Sequence, residues 1–196
     1  INPHAANIAS QHFGFDPKGI GVRIEDARTH VRQCRTANKY DIVVVDLFQG
    51  DGTPDYLMTR EFFSDVAHCL TRNGIVVMNT FYDQTADAPN KRVLATVASA
   101  FGVLIEFRTP SGGTFLVATN TVLPSNAQIA GLTIPGDLEP AFRATMASGR
   151  AISPQELAGA EPFSDHQNSF SFIFARAEMD HRRSWAQGLP PGLLVN

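Results

Sequence analysis

The segment Tyr40-Asp41-Ile42-Val43-Val44-Val45-Asp46 constrains this chain more than any other feature. Four β-branched apolar residues run without alternation between two aspartates, which suits a central parallel strand covered on both faces. The strand is expected over Asp41 to Leu47, and three further segments read the same way: Gly21 to Glu25, Ile75 to Thr80 and Val103 to Arg108. Between them the apolar residues recur at helical spacing, as Phe62, Phe63, Val66, Ala67 and Leu70, and as Val93, Leu94, Val97, Ala98 and Phe101. Gly74 and Gly102 stand as the stops of these helices. Asp26 can cap another helix carrying Ala27, Val31 and Cys34, and Asn2-Pro3 can open a first one carrying Ile8, Ala9 and Phe13. Helices alternating with short buried strands predict a layered α/β sandwich with right-handed crossovers.

The alternation then changes. Only Pro110-Ser111-Gly112-Gly113 and its flanks separate Val103 to Arg108 from Thr114 to Thr119, too short a link for a crossover helix, so these two strands should form an antiparallel hairpin. From Val122 the texture turns Pro- and Ala-rich, with helices expected from Asp137 to Ser148, briefly after Ser153-Pro154, and from Phe170 to Ala186. The reading is a sheet domain over residues 1–123 and a helical extension over 124–196 packed on it. The chain opens on Ile1 rather than Met, which reads as a chain whose upstream part is absent.

Composition removes several function classes. A net charge of −3 with no basic stripe argues against nucleic acid as partner. No apolar run approaches the ~20 residues a spanning helix needs, so no membrane partner is expected. Cys34 and Cys69 both fall in helical patterns and read as free thiols of a reducing, cytoplasmic compartment. His30 and Cys34 lie four apart on one helix face, but without a second pair they make no metal site, and none is expected. No Gly-x-Ser-x-Gly elbow, Gly-x-Gly-x-x-Gly turn or phosphate-binding loop is present. Arg176, Arg182 and Arg183 read as a solvated helix face.

Ligands of open α/β sheets bind beyond the carboxyl ends of the strands, where this chain carries Glu25-Asp26, Asp46 and Asn79-Thr80. Asp26 can accept a ligand amine or cap the helix it opens. Asp46 ends the most apolar strand and precedes the long loop Leu47-Phe48-Gln49-Gly50-Asp51-Gly52-Thr53-Pro54. There a carboxylate at the rim of a dry cleft can act as general base or hold a cationic substrate, or it can simply form the turn.

These residues, taken together, resemble a family. Asn2-Pro3, Ile24-Glu25-Asp26-Ala27-Arg28, the Tyr40 to Asp46 strand, Gly50-Asp51-Gly52-Thr53-Pro54, Thr59-Arg60-Glu61-Phe62-Phe63 and Leu70 to Asn79 are similar, in order and spacing over residues 1–120, to the spermidine synthase (polyamine aminopropyltransferase) family, in its spermidine-synthase-like branch. Pro162-Phe163-Ser164-Asp165-His166 faintly resembles that branch's Thr-Asp-Asp stretch.

The resemblance implies a Rossmann-like fold of the S-adenosylmethionine-dependent methyltransferase type. It implies transfer of an aminopropyl group from decarboxylated S-adenosylmethionine to a small polyamine, with no metal. Asp26 would receive the adenine amino group with Ala27 beside the ring, and Asp46 would be the catalytic acid residue, also touching the co-substrate. Gln49 stands where the family often has a second aspartate, so Gln49, Asp51 and Asn79 are the candidates for holding the amine. Glu25 replaces the usual Gly and Asn79 the usual Gln. The family's Gly-rich loop and ribose-binding acid would precede Ile1, and its strand order, 3-2-1-4-5-7-6, would set two further strands between Gly21 to Glu25 and Asp41 to Leu47. Transfer of methyl from S-adenosylmethionine on the same scaffold, or a non-catalytic relative binding a nucleoside or a partner, are the alternatives. Homo-oligomerisation is left open.

Overall fold

The computed structural model describes residues 2–34, 39–47, 52–80, 87–110 and 113–188. Its elements in chain order are α1 (Ala5–His12), α2 (Ala27–Gln33), β1 (Tyr40–Val45), a 3-10 turn (Asp55–Leu57), α3 (Arg60–Cys69), β2 (Leu70–Thr80), α4 (Asp87–Ala98), β3 (Val103–Arg108), β4 (Thr114–Thr119), α5 (Asn126–Ala130), α6 (Glu139–Ala147), β5 (Arg150–Ala151) and α7 (Phe170–Gly188). The sheet order is β1-β2-β4-β3-β5. β1 runs parallel to β2, with Val45 beside Met78. β4 then pairs antiparallel with both β2 and β3, which makes β3–β4 the expected hairpin.

The core forms where the apolar stripes of α3 and α4 meet the sheet. Phe62, Phe63 and Val66 of α3, Val93 and Val97 of α4, Val76 and Met78 of β2 and Leu116 of β4 are fully buried. Phe163, Phe170 and Phe174, from the C-terminal part of the chain, enter the same cluster. Their rings pack edge-on at 5.7 Å (Phe163 to Phe170) and tilted at 4.8 Å (Phe170 to Phe174), and the Arg92 guanidinium sits 4.1 Å from the Phe163 centroid.

Several expectations are corrected. Residues 21–25 form no strand: they pair with no described strand, and Val22 and Ile24 are exposed. Among the described residues β1 pairs with β2 alone and stands at the sheet edge rather than in its centre, with Ile42 59 % and Val44 65 % exposed. An apolar run reports readiness to be covered, and coverage needs a neighbour. Gly74 is no helix stop. α3 ends at Cys69 and β2 begins at once, so Gly74 lies inside the strand, where a Cβ would stand 3.0 Å from the Tyr40 carbonyl oxygen. The segment after Ser153-Pro154 is a run of turns, and the short helix α5 was not anticipated although Ser125 and Gln128 form its capping box. α1 buries no residue, leaving Ile8 and Phe13 exposed.

The two cysteines are not free. α2 packs against α3, which sets the Cys34 and Cys69 Cα atoms 5.1 Å apart and joins the sulfurs in a disulfide. Helical periodicity located each residue on a face but carried no information about which faces meet. Cys34→Ser is expected to lower stability by about 2–4 kcal/mol in oxidising buffer. Urea unfolding with and without reductant checks this, and equal midpoints for the wild type under both conditions would mean that no bridge forms. No described helix is long and apolar enough to cross a membrane.

The C-terminal part is tied to the sheet by charge as well as by rings. Glu106 on β3, nearly fully buried, receives hydrogen bonds from Arg108 (2.8 Å) and Arg150 (2.6 Å), and Arg150 also bonds Glu156 (2.6 Å). Burial pushes the Glu106 carboxyl up, but the two guanidiniums outweigh it and hold the group below its ordinary value. The pairing fixes β5 along the sheet edge.

Candidate active site

The parallel register carries β1 and β2 to the same end of the sheet, so the residues just past Val45 and Met78 come out side by side. Asn79 Nδ2 donates to Asp46 Oδ1 at 3.1 Å. Asp46 itself is exposed rather than sunk in a dry cleft, while its chain neighbours Val45 and Leu47 turn toward a cavity of about 360 Å³. Ala27, Val43, Phe62 and Val66 line the same cavity, giving it an apolar wall. Of the remaining predicted residues, Gln49 and Asp51 lie outside the described residues.

Asp26 has the capping role that its position allowed. Its Oδ1 accepts from the Thr29 N–H at 2.9 Å and so closes the first turn of α2. The other oxygen, Oδ2, accepts from the Tyr56 hydroxyl at 2.8 Å. Partial burial pushes the carboxyl up, but the bonds from Thr29 and Tyr56 outweigh it and hold Asp26 below its ordinary value. The bond to Asp26 raises the Tyr56 phenol. A carboxylate offers about four lone-pair sites, so these bonds leave Oδ2 able to accept one more N–H.

Two residues to which the sequence reading gave no role, Tyr56 and Arg28, complete this corner. Tyr56 comes from the 3-10 turn that returns the chain from β1 to α3; its only advance signal was Thr53-Pro54, which forces a turn without saying what it faces. Arg28, in the first turn of α2 and nearly fully buried, donates from Nη1 to the Tyr56 carbonyl (2.8 Å) and from Nη2 to Asp165 Oδ2 (2.5 Å). Glu25 faces His30 Nδ1 at 2.7 Å, and His30 Nε2 faces the Tyr40 hydroxyl at 3.0 Å. That contact gives Glu25 a use where a glycine was expected, and it turns His30 away from any shared ligand with Cys34.

A second hollow lies elsewhere. About 610 Å³ open over α2 and α3 are lined by Arg32, Arg60, Glu61, Asp65 and Asp165 among others. Its guanidiniums already face carboxylates, Arg32 to Asp65 at 3.5 Å and Arg60 to Glu61 at 2.9 Å, so it presents no free charge to an anion.

Open sheet order, helices on its faces and polar groups at the carboxyl ends of the parallel pair define a Rossmann-like α/β sandwich of the S-adenosylmethionine-dependent methyltransferase type. Solved structures agree on the fold. A probable spermidine synthase from Corynebacterium glutamicum superposes with a TM-score of 0.60 at 19 % identity, over 82 % of this chain and 60 % of its own. Human methyltransferase-like protein 13 in complex with SAH does so at 0.56 and 18 %, over 84 % and 72 %. Residues 1–101 match the family model of the spermine/spermidine synthase domain, and the chain belongs to that family. The polyamine aminopropyltransferase of Vibrio vulnificus (strain CMCP6) is 33 % identical over 134 residues, 64 % of this chain and 42 % of the relative. That of Pyrobaculum calidifontis is 29 % identical over 148 residues, 71 % and 49 % respectively. The chain thus spans about half the length of these relatives or less.

Proposed function

We propose that this chain is the part of a polyamine aminopropyltransferase that carries the general base and the adenine-recognising carboxylate. One observation supports the reading best. Ala27, Val45 and Leu47, the chain neighbours of Asp26 and Asp46, line a single cavity of about 360 Å³, within the usual range for a small-molecule site. The residues fit a nucleoside: apolar side chains for a ring, and at Asp26 a carboxylate with accepting capacity left for an exocyclic amine.

Decarboxylated S-adenosylmethionine supplies an alkyl group already activated by its sulfonium. What the protein must add is a neutral amine aimed at that carbon, since an ammonium has no lone pair to attack with. Asp46 takes the amine's proton, and the freed lone pair forms the new C–N bond as the C–S bond breaks and the neutral thioether leaves; Asn79, bonded to Asp46 Oδ1, orients the carboxylate and leaves Oδ2 for the substrate. Gln49 and Asp51 follow Asp46 in the chain as further polar groups for the amine, and no metal is needed. The solved spermidine synthase in complex with the transition state analogue AdoDATO, similar in fold at a TM-score of 0.58 and 15 % identity, is consistent with a sulfonium nucleoside as co-substrate.

Methyl transfer is the second reading, because an N-terminal histidine N-methyltransferase of Emericella nidulans (strain FGSC A4 / ATCC 38163 / CBS 112.46 / NRRL 194 / M139) matches 40 % of the chain at 35 % identity. Isothermal titration of the full-length protein with S-adenosylmethionine, its decarboxylated form and putrescine separates the two. Binding of the decarboxylated form together with putrescine is expected. Binding of the carboxylated form alone would refute aminopropyl transfer, and binding of neither would favour a non-catalytic relative.

A further inference from the structure

We propose that Tyr56 is a positioning residue for the Asp26 carboxylate, and that the Arg28–Asp165 ion pair holds Tyr56 where it can do so. The inference rests on the reading of Asp26 as nucleoside acceptor and goes beyond it by assigning three residues that act through it.

The geometry is a chain of fixed contacts. Tyr56 is bonded at both ends, its hydroxyl to Asp26 Oδ2 at 2.8 Å and its carbonyl to the Arg28 guanidinium at 2.8 Å. Arg28 is held in place by burial of about nine-tenths of its side chain and by Asp165, which its other arm meets at 2.5 Å. Asp165 is placed in turn by its own N–H, which donates to Glu61 Oε2 at 3.0 Å, and by the preceding Phe163, whose carbonyl accepts from the Arg60 N–H at 2.9 Å. The turn carrying Tyr56 is gripped from the same side, where Asn168 Nδ2 donates to the Asp55 and Met58 carbonyls and the Ser171 N–H donates to Asp55 Oδ1. A stretch more than 100 residues downstream in the chain therefore sets the position of an aromatic hydroxyl beside the candidate acceptor. A carboxylate capped only by Thr29 could swing about its Cβ–Cγ bond; with the second oxygen tethered it presents one fixed edge.

Tyr56 is 42 % exposed, so Tyr56→Phe deletes a single atom at the surface and is expected to fold. The groups facing Asp26 are the Tyr56 hydroxyl, the Thr29 N–H and hydroxyl, and the Arg28 backbone N–H. The charged neighbours in the chain are Glu25, paired with His30, and Arg28, paired with Asp165. Losing the Tyr56 bond lets the Asp26 carboxyl rise, so protonation and loss of nucleoside binding move to higher pH.

The test is titration of the full-length protein with decarboxylated S-adenosylmethionine across pH, for the wild type, Tyr56→Phe, Asp165→Asn, Asp165→Glu and Asp26→Ala. Expected are a Kd raised about five- to tenfold in Tyr56→Phe and in Asp165→Asn, an acid limb displaced to higher pH in Tyr56→Phe, and partial recovery in Asp165→Glu. Asp26→Ala should weaken binding at least as much. If Asp26→Ala weakens binding while Tyr56→Phe changes neither affinity nor acid limb, the positioning role is refuted and the site reading survives. If Asp26→Ala leaves affinity unchanged, or the wild type does not bind, the site reading fails and takes this inference with it.

Discussion

Asp46→Asn in the full-length protein should reduce turnover by about 10²- to 10⁴-fold, the usual contribution of a positioned general base. The substitution preserves shape and leaves the amide oxygen able to accept from Asn79, so the geometry survives while the proton acceptor is lost. Asp46 is exposed, and stability should change by no more than about 0.5 kcal/mol. The two readouts together separate chemistry from folding: steady-state rates at saturating amine, and thermal unfolding. Raising the pH should recover part of the lost rate, because bulk solvent would then remove the proton assigned to Asp46 in the proposed reaction. A variant with wild-type turnover would return Asp46 to a turn-forming residue.

Phe163→Ala should cost about 3–5 kcal/mol of stability, the range for truncating a fully buried aromatic side chain. The ring has no solvent exposure, meets Phe170 edge-on and carries the Arg92 guanidinium on its face. Phe172→Ala, in the same C-terminal region but 86 % exposed, should stay within about 0.5 kcal/mol and serves as the matched control. Urea unfolding midpoints decide the matter. A cost under about 1 kcal/mol at Phe163 would mean that the downstream segment does not share the core of the sheet. The prediction bears on the site as well, because the Phe163 carbonyl accepts from the Arg60 N–H at the start of α3, next to the turn that carries Tyr56.

Where local chemistry decides, the residues could be read in advance. The helix at Ala27 follows from an aspartate whose side chain can satisfy a free N–H, and the structure has that bond, from the Thr29 N–H to Asp26 Oδ1. The β3–β4 hairpin follows from a link too short for anything else. The family, too, was legible, because its signature is a string of short motifs at fixed spacing and residues 1–101 match it. The same reasoning misjudged Gly21 to Glu25 as a strand and β1 as central, since β-branched residues state only that a segment is ready to be paired. It also took two cysteines on separate helices for free thiols, though α2 and α3 bring them together across 35 residues of chain.

What the residues determine by themselves is local chemistry: where a carboxylate ends a strand, which caps are present, and which strongly periodic segments become helix or strand. These depend on propensity, periodicity and hydrogen bonds spanning three or four positions, and such short-range terms are written in the order of the letters. What only the folded molecule decided is adjacency. That Asp46 stands beside Asn79, that Tyr56 reaches Asp26, and that Arg28 meets Asp165 137 positions away are consequences of how whole faces bury against each other. Burial is non-directional and rewards any apolar face that finds another, so partners are selected by the packing of the entire chain rather than by any local stretch of it.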